Sequence, residues 1–200
     1  MPFSSLCQVM ELERLLEKVR ACRVCEAFLP NPPKPILLAG ASARVMIVGQ
    51  APGRRVHETG IPWNDPSGDR LRSWLGVGRE AFYDTARFAI IPTAFCYPGT
   101  GKGGDLPPRP ECAPLWHPPL REALPAVELI LLVGQYAQAY YLGERRKANL
   151  TETVRAWREY GPAFLPMPHP SPRNQMWLKR NPWFEEEVIP ELRRRLAALI

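Results

Sequence analysis

The chain has little that would carry it into a membrane and little to cross-link it. No apolar run approaches the roughly 20 residues that a span requires. The N-terminal "MPFSSLCQVMELERLLEKVR" is amphipathic and carries acids, unlike a secretory leader, so a cytoplasmic protein is expected. There are five cysteines, an odd number, and in a reducing compartment they are expected as ligands or buried thiols rather than disulfides. Histidines number only three. Glycines, at 14, are outnumbered by 24 prolines clustered in "LPNPPKP", "DLPPRPECAP", "WHPPL" and "PMPHPSP", which favours stiffened loops between regular elements. No repeat, low-complexity tract or domain linker stands out. Two phosphate-binding signatures are also missing: no Gly-Lys-Ser/Thr follows the first glycine loop, and the dinucleotide G-x-G-x-x-G spacing does not occur there.

What remains is an ordinary globular composition, with 46% hydrophobic and 23% charged residues over a length of 200 that suits a single domain, residues 1–200. The net charge of +6 favours an anionic partner such as nucleic acid. Short β-branched or apolar runs at "ARVMIVG", "RFAIIPT", "VELILLVG" and "AFLPMP" read as buried strands. Helical patterns lie at "MELERLLEKVRAC", "GDRLRSWLG", "CAPLWHPPLREAL", "QYAQAYYLG", "TETVRAWREY" and "EEEVIPELRRRLAAL". Strand and helix alternate, which predicts an α/β fold: a three-layer α/β/α sandwich around a small central parallel sheet, with ligands at the carboxyl ends of the strands. The loops beginning at Gly49, Pro92 and Pro168 leave three of those ends.

Two of these loops bear chemistry. In "PMPHPSPRNQ" the prolines fix their own φ and hold His169 and Ser171 in extended backbone, so the His169 side chain is expected to be pre-set before any ligand arrives. In "VMIVGQAPGRRVHETGIPW" glycines after a strand allow close backbone approach. Together, a glycine-x-x-proline loop after the first strand and a histidine-proline-serine loop after the last resemble the uracil-DNA glycosylase superfamily, and most of all its iron-sulfur branches, families 4 and 5. In "GQAPGRRVHETGIPWNDPSG", Gly49, Ala51, Pro52, Gly53, Gly60, Pro62 and Gly68 are in register with the family 4 motif. The resemblance implies a glycosylase fold, Trp63 as a face that stacks on a flipped base, and a base pocket lined around Gly49, Gln50 and Ala51.

Cys22 and Cys25 form a C-x-x-C pair, and Cys96 and Cys112 lie 16 positions apart. Spacing alone leaves a [4Fe-4S] cluster and zinc both open; the resemblance points to a [4Fe-4S] cluster on these four, with Cys7 an ordinary thiol. The sequence also departs from the family. The water-positioning acid of family 4 would fall at Val56, and the position that is acidic in the best-known glycosylases is Ala51. His57 is the expected substitute, with Glu58 and Asp65 close by. The asparagine that reads the uracil edge would fall at Pro92, followed by Thr93, which leaves Asn64 and Thr93 as candidates. Hypoxanthine or xanthine thus join uracil as possible leaving bases.

The resulting expectation is a monomeric, monofunctional DNA N-glycosylase acting on DNA that contains deaminated bases. His169 would donate to the anionic leaving base, while Ser171, Arg173, Asn174 and Lys179 would contact DNA. The glycine-rich "YPGTGKGGD" could cradle a phosphate with Lys102. The competing expectation is a non-catalytic iron-sulfur protein that binds or senses damaged nucleic acid on the same fold, supported by the missing acid and asparagine.

Overall fold

The computed structural model describes residues 3–200, with side chains from residue 8 onward, so the Cys7 thiol lies outside the described residues. Helix α1 (Phe3–Arg20) leads through an irregular proline-rich segment into strand β1 (Val45–Val48). Helices α2 (Arg54–Thr59), α3 (Pro66–Leu75) and α4 (Arg79–Tyr83) precede β2 (Phe88–Ile90). A two-stranded hairpin, β3 (Thr100–Gly101) and β4 (Gly104–Asp105), comes before α5 (Cys112–Glu122). Then follow β5 (Leu129–Val133), α6 (Gln135–Leu142), α7 (Leu150–Arg155), β6 (Phe164–Met167), α8 (Gln175–Arg180) and α9 (Ile189–Leu199).

The sheet runs β2-β1-β5-β6 and all of its pairings are parallel. Its strands are apolar on both faces because both faces are covered. Successive residues alternate between two cores. Val45, Ile47, Leu129, Leu131 and Leu165 join Leu71 and Trp74 of α3, Leu178 of α8 and Leu192 and Leu196 of α9. Met46, Val48, Ile130 and Leu132 join Leu12, Leu16 and Val19 of α1, Leu120 of α5 and Ala137 of α6. Helices on each side of a parallel sheet make the three layers expected from the alternating pattern.

Strand order places the site. From β1 the chain steps outward to β2, then returns to place β5 on the other side of β1. Loops leaving β1 and β5 therefore diverge and open a crevice at the carboxyl ends, where open α/β sheets bind ligands. The loops after β1, β2 and β6 all reach it.

Candidate active site

The rigidity expected of the "HPSP" loop has a visible cause. The Ser171 backbone N–H donates to His169 Nδ1 at 3.2 Å, Asn174 Nδ2 donates to the His169 carbonyl at 2.8 Å, and Ser171 Oγ accepts from the Arg173 N–H at 3.2 Å. Arg70 of α3 reaches across to donate to the Ser171 carbonyl at 3.2 Å and to Gln175 Oε1 at 2.9 Å. With Nδ1 accepting, the neutral ring carries its proton on Nε2. Burial lowers the His169 pKa, and the Asp65 charge opposes this only in part. The site therefore presents a neutral imidazole with one free donor.

Trp63 faces that ring, with centroids 5.6 Å apart at 33°. It is the one non-glycine residue with positive φ (56°) among the described residues, a conformation of higher energy that the surroundings must impose. They do so from two sides: Arg72 Nη1 donates to the Trp63 carbonyl at 3.2 Å, and Tyr83 Oη donates to the Pro62 carbonyl at 2.7 Å. The indole lies directly on Gly49, where an added Cβ would sit 2.7 Å from Trp63 Cζ2. Glycine at 49 is thus required by close approach.

His169 and Trp63 line a cavity of about 680 Å³ together with Gly49, Gln50, Ala51, Pro52, Gly53, Val56, Pro92, Ser171, Arg173 and Asn174. Arg54, Ser67, Asp65 and Asp105 add charge and polarity. Asp65 caps α3, its Oδ1 accepting the Gly68 N–H at 2.8 Å. Asp105 sits at the end of β4, and burial raises its carboxyl pKa above the ordinary range; Arg173, Thr100 and Arg54 oppose that rise while Asp65 adds to it. The hairpin is drawn over the cavity by Arg173, whose Nη1 donates to the Gly103 carbonyl at 2.6 Å. "YPGTGKGGD" is therefore a structured flap rather than an open glycine cradle.

A second cluster forms on the other side of the β2 loop. Cys22 and Cys25 follow α1, Cys96 follows β2 and Cys112 opens α5; all four are free, half-buried thiols. They lie within electrostatic reach of one another. Burial pushes the Cys112 thiol up to about 12, and Cys25, Cys96 and Cys22 add to the rise. Cys96 is pushed up to about 11 by burial, with Cys22 and Cys25 contributing and a backbone hydrogen bond from Lys34 opposing. Among the described residues no three Cys, His, Asp or Glu side chains stand close enough to share one metal ion. The four side chains form an all-sulfur set, a donor type that both zinc and an iron-sulfur cluster take.

With the crevice, the His169 loop and the glycine loop in place, comparison with known proteins becomes decisive: a family model described as the uracil DNA glycosylase superfamily matches residues 38–193. The chain belongs to the uracil DNA glycosylase superfamily. Among solved structures it is similar to the solution NMR structure of a Methanosarcina acetivorans protein provisionally described as a uracil DNA glycosylase, with 16% identity and a TM-score of 0.48. That match covers 80% of this chain and 97% of the other.

Of the residues marked in the sequence, the cavity gathers Gly49, Gln50, Ala51, Trp63, Asp65, His169, Ser171, Arg173 and Asn174. Four lie elsewhere. His57, on α2, lines a separate hollow with Lys34, Glu58 and Tyr97, its ring 5.7 Å from that of Tyr97 and its Nδ1 buried without a partner. Asn64 accepts from Arg79 Nη2 at 3.1 Å, outside the cavity. Thr93 is buried and donates to the Gln50 carbonyl, shaping the wall from behind. Lys179 is exposed on α8. Asp105 and Arg54 went unmarked in the sequence. Proximity along the chain favoured His57, but one turn of helix carries it to the far side, whereas Asp105 arrives through a hairpin that residue spacing does not reveal. His117 is a fully satisfied core residue: its Nε2 lies 3.0 Å from the Pro92 carbonyl and its Nδ1 2.8 Å from Tyr141 Oη.

Proposed function

We propose that the protein is a monofunctional DNA glycosylase that hydrolyses the N-glycosidic bond of uracil or a related deaminated base after the nucleotide has been flipped out of DNA. The single observation that carries this reading is the neutral His169 ring, fixed by the Ser171 N–H so that only Nε2–H is left to donate, in a cavity it shares with Trp63. Cleaving the bond leaves an oxocarbenium-like sugar and an anionic base. A fixed donor at the base oxygen stabilises that anion without reorganising at the moment of reaction. Trp63 offers a stacking face for the extruded base.

Among the described residues no lysine lines the cavity, so no amine is offered to the sugar and the reaction stops at the abasic product. At about 680 Å³ the cavity is large enough that volume does not exclude a purine. Pro92 in its wall has no backbone N–H with which to read a base edge. Both points keep hypoxanthine and xanthine beside uracil as substrates.

Cys22, Cys25, Cys96 and Cys112 would hold a [4Fe-4S] cluster whose contribution is structural, tying the segment after α1 to the loop after β2 and to the start of α5. The hydrolysis itself runs on His169 and the cavity walls.

The decisive experiment uses oligonucleotides that carry one uracil, hypoxanthine or xanthine, treated with the protein and then with hot alkali. Strand breakage at the modified position in at least one of them is expected, with none before alkali. Intact strands across the whole panel would sink the glycosylase reading, and tight binding without abasic product would favour the damage-sensing alternative.

A further inference from the structure

We propose that Asp105, delivered by the β3–β4 hairpin, is the general base that positions and deprotonates the attacking water; this rests on the glycosylase reading above. The first-motif loop brings backbone, Gln50 and Arg54 to the cavity, but at Ala51, Pro52 and Val56 it brings only apolar side chains. A carboxylate acting on the water would therefore come from elsewhere. Of the two that line the cavity among the described residues, Asp65 has Oδ1 held by the Gly68 N–H at the start of α3, whereas Asp105 has the Thr100 hydroxyl as its neighbour and its Oδ2 turned to the first-motif loop.

Asp105 is laid against the first-motif loop itself: its Oδ2 is 3.1 Å from the position a Cβ would take on Gly53. The hairpin that holds it is fixed at both ends. The Leu106 N–H donates to the Gly99 carbonyl at 2.8 Å, Thr100 pairs with Asp105 across the strands, and Arg173 fastens the turn through Gly103. Gly104 has φ +126°, and an added Cβ there would overlap the Arg173 guanidinium. Arg173 is four residues from His169, so the loop that presents the donor for the leaving base also seats the acceptor for the water.

The step balances. As the C1′–N bond breaks, its electron pair leaves with the base, whose oxygen accepts from His169 Nε2–H. The water oxygen bonds to C1′ and one of its protons passes to the Asp105 carboxylate, from which it is lost to solvent, while the base anion regains a proton. The groups that face Asp105 are Thr100 of β3, Arg54 of α2, Arg173 of the His169 loop and Asp65 ahead of α3. Burial outweighs the cations among them, so the base is expected to lose its proton above the ordinary carboxylate range and the rate to fall as pH drops through that value.

The test is single-turnover cleavage, with protein in excess, of whichever oligonucleotide of the panel the parent cleaves. Asp105→Asn should slow the step by roughly 10²- to 10⁴-fold, the usual contribution of a general base, with oligonucleotide affinity and melting temperature unchanged and the acid limb of the pH profile gone. Asp105→Glu should recover part of the rate. An Asp105→Asn rate within a few-fold of the parent, or an acid limb that survives the substitution, overturns the assignment while the glycosylase reading stands. A parent inactive on every oligonucleotide ends both.

Discussion

A histidine that accepts a backbone N–H at Nδ1 has one donor left, and its ring can no longer turn to find another. His169 is in that position, and burial keeps it neutral. Its worth lies in a hydrogen bond that strengthens as the base becomes an anion, so His169→Ala should lower the single-turnover rate by roughly 10²- to 10³-fold and weaken DNA binding much less. A silent His169→Ala beside a large loss in His57→Ala would overturn the assignment. His169 was legible because prolines on both sides restrict the backbone whatever the fold. The departures from family pattern at Ala51, Val56 and Pro92 were legible too, since each is read at its own position. What filled the gap was not: Asp105 follows Ala51 by more than fifty residues and reaches the first-motif loop only once the sheet and hairpin exist.

At the scale of elements, the four strands and the longer helices were written in the apolar pattern, because a strand covered on both faces reads as a continuous apolar run and α3 and α9 span enough turns to show a face. Helices α2 and α4, six and five residues long, and the two-residue strands of the hairpin are too short for any period to register. The cysteine segment is where the proposed cluster would add metal–sulfur ties between α1 and α5, which already share a core. Without a metal, the raised thiol pKa values of Cys96 and Cys112 leave them protonated, so loading must release protons and should stabilise the fold. Protein purified without oxygen is expected to be brown, with iron and sulfide in near-equal amounts. Cys22→Ser or Cys112→Ser should lose the colour and lower the melting temperature, whereas Cys7→Ser should keep both. About one zinc and no sulfide in the parent would refute the cluster.

Over the whole molecule, the sheet separates two groups of side chains: those of the cavity at the carboxyl ends of β1 and β6, and the four cysteines, with Pro92, which lines the cavity and whose carbonyl faces His117, in the loop after β2. The net charge of +6 gives the surface an overall attraction for a polyanion, but sequence alone did not divide the cations by task. The structure does. Arg173 and Arg70 are engaged within the site, on Gly103 and on Ser171, while Lys179 and Arg180 stand exposed on α8, the helix that follows the His169 loop. An exposed lysine there would act on DNA as a phosphate contact, and each such contact releases condensed counterions when DNA binds. Lys179→Ala should therefore weaken binding equally for uracil-containing and undamaged duplexes, and should reduce the slope of log affinity against log salt by about one. Cleavage at saturating protein should not change. A loss confined to the damaged duplex, with the salt slope intact, would mean that Lys179 reads the lesion and not the backbone.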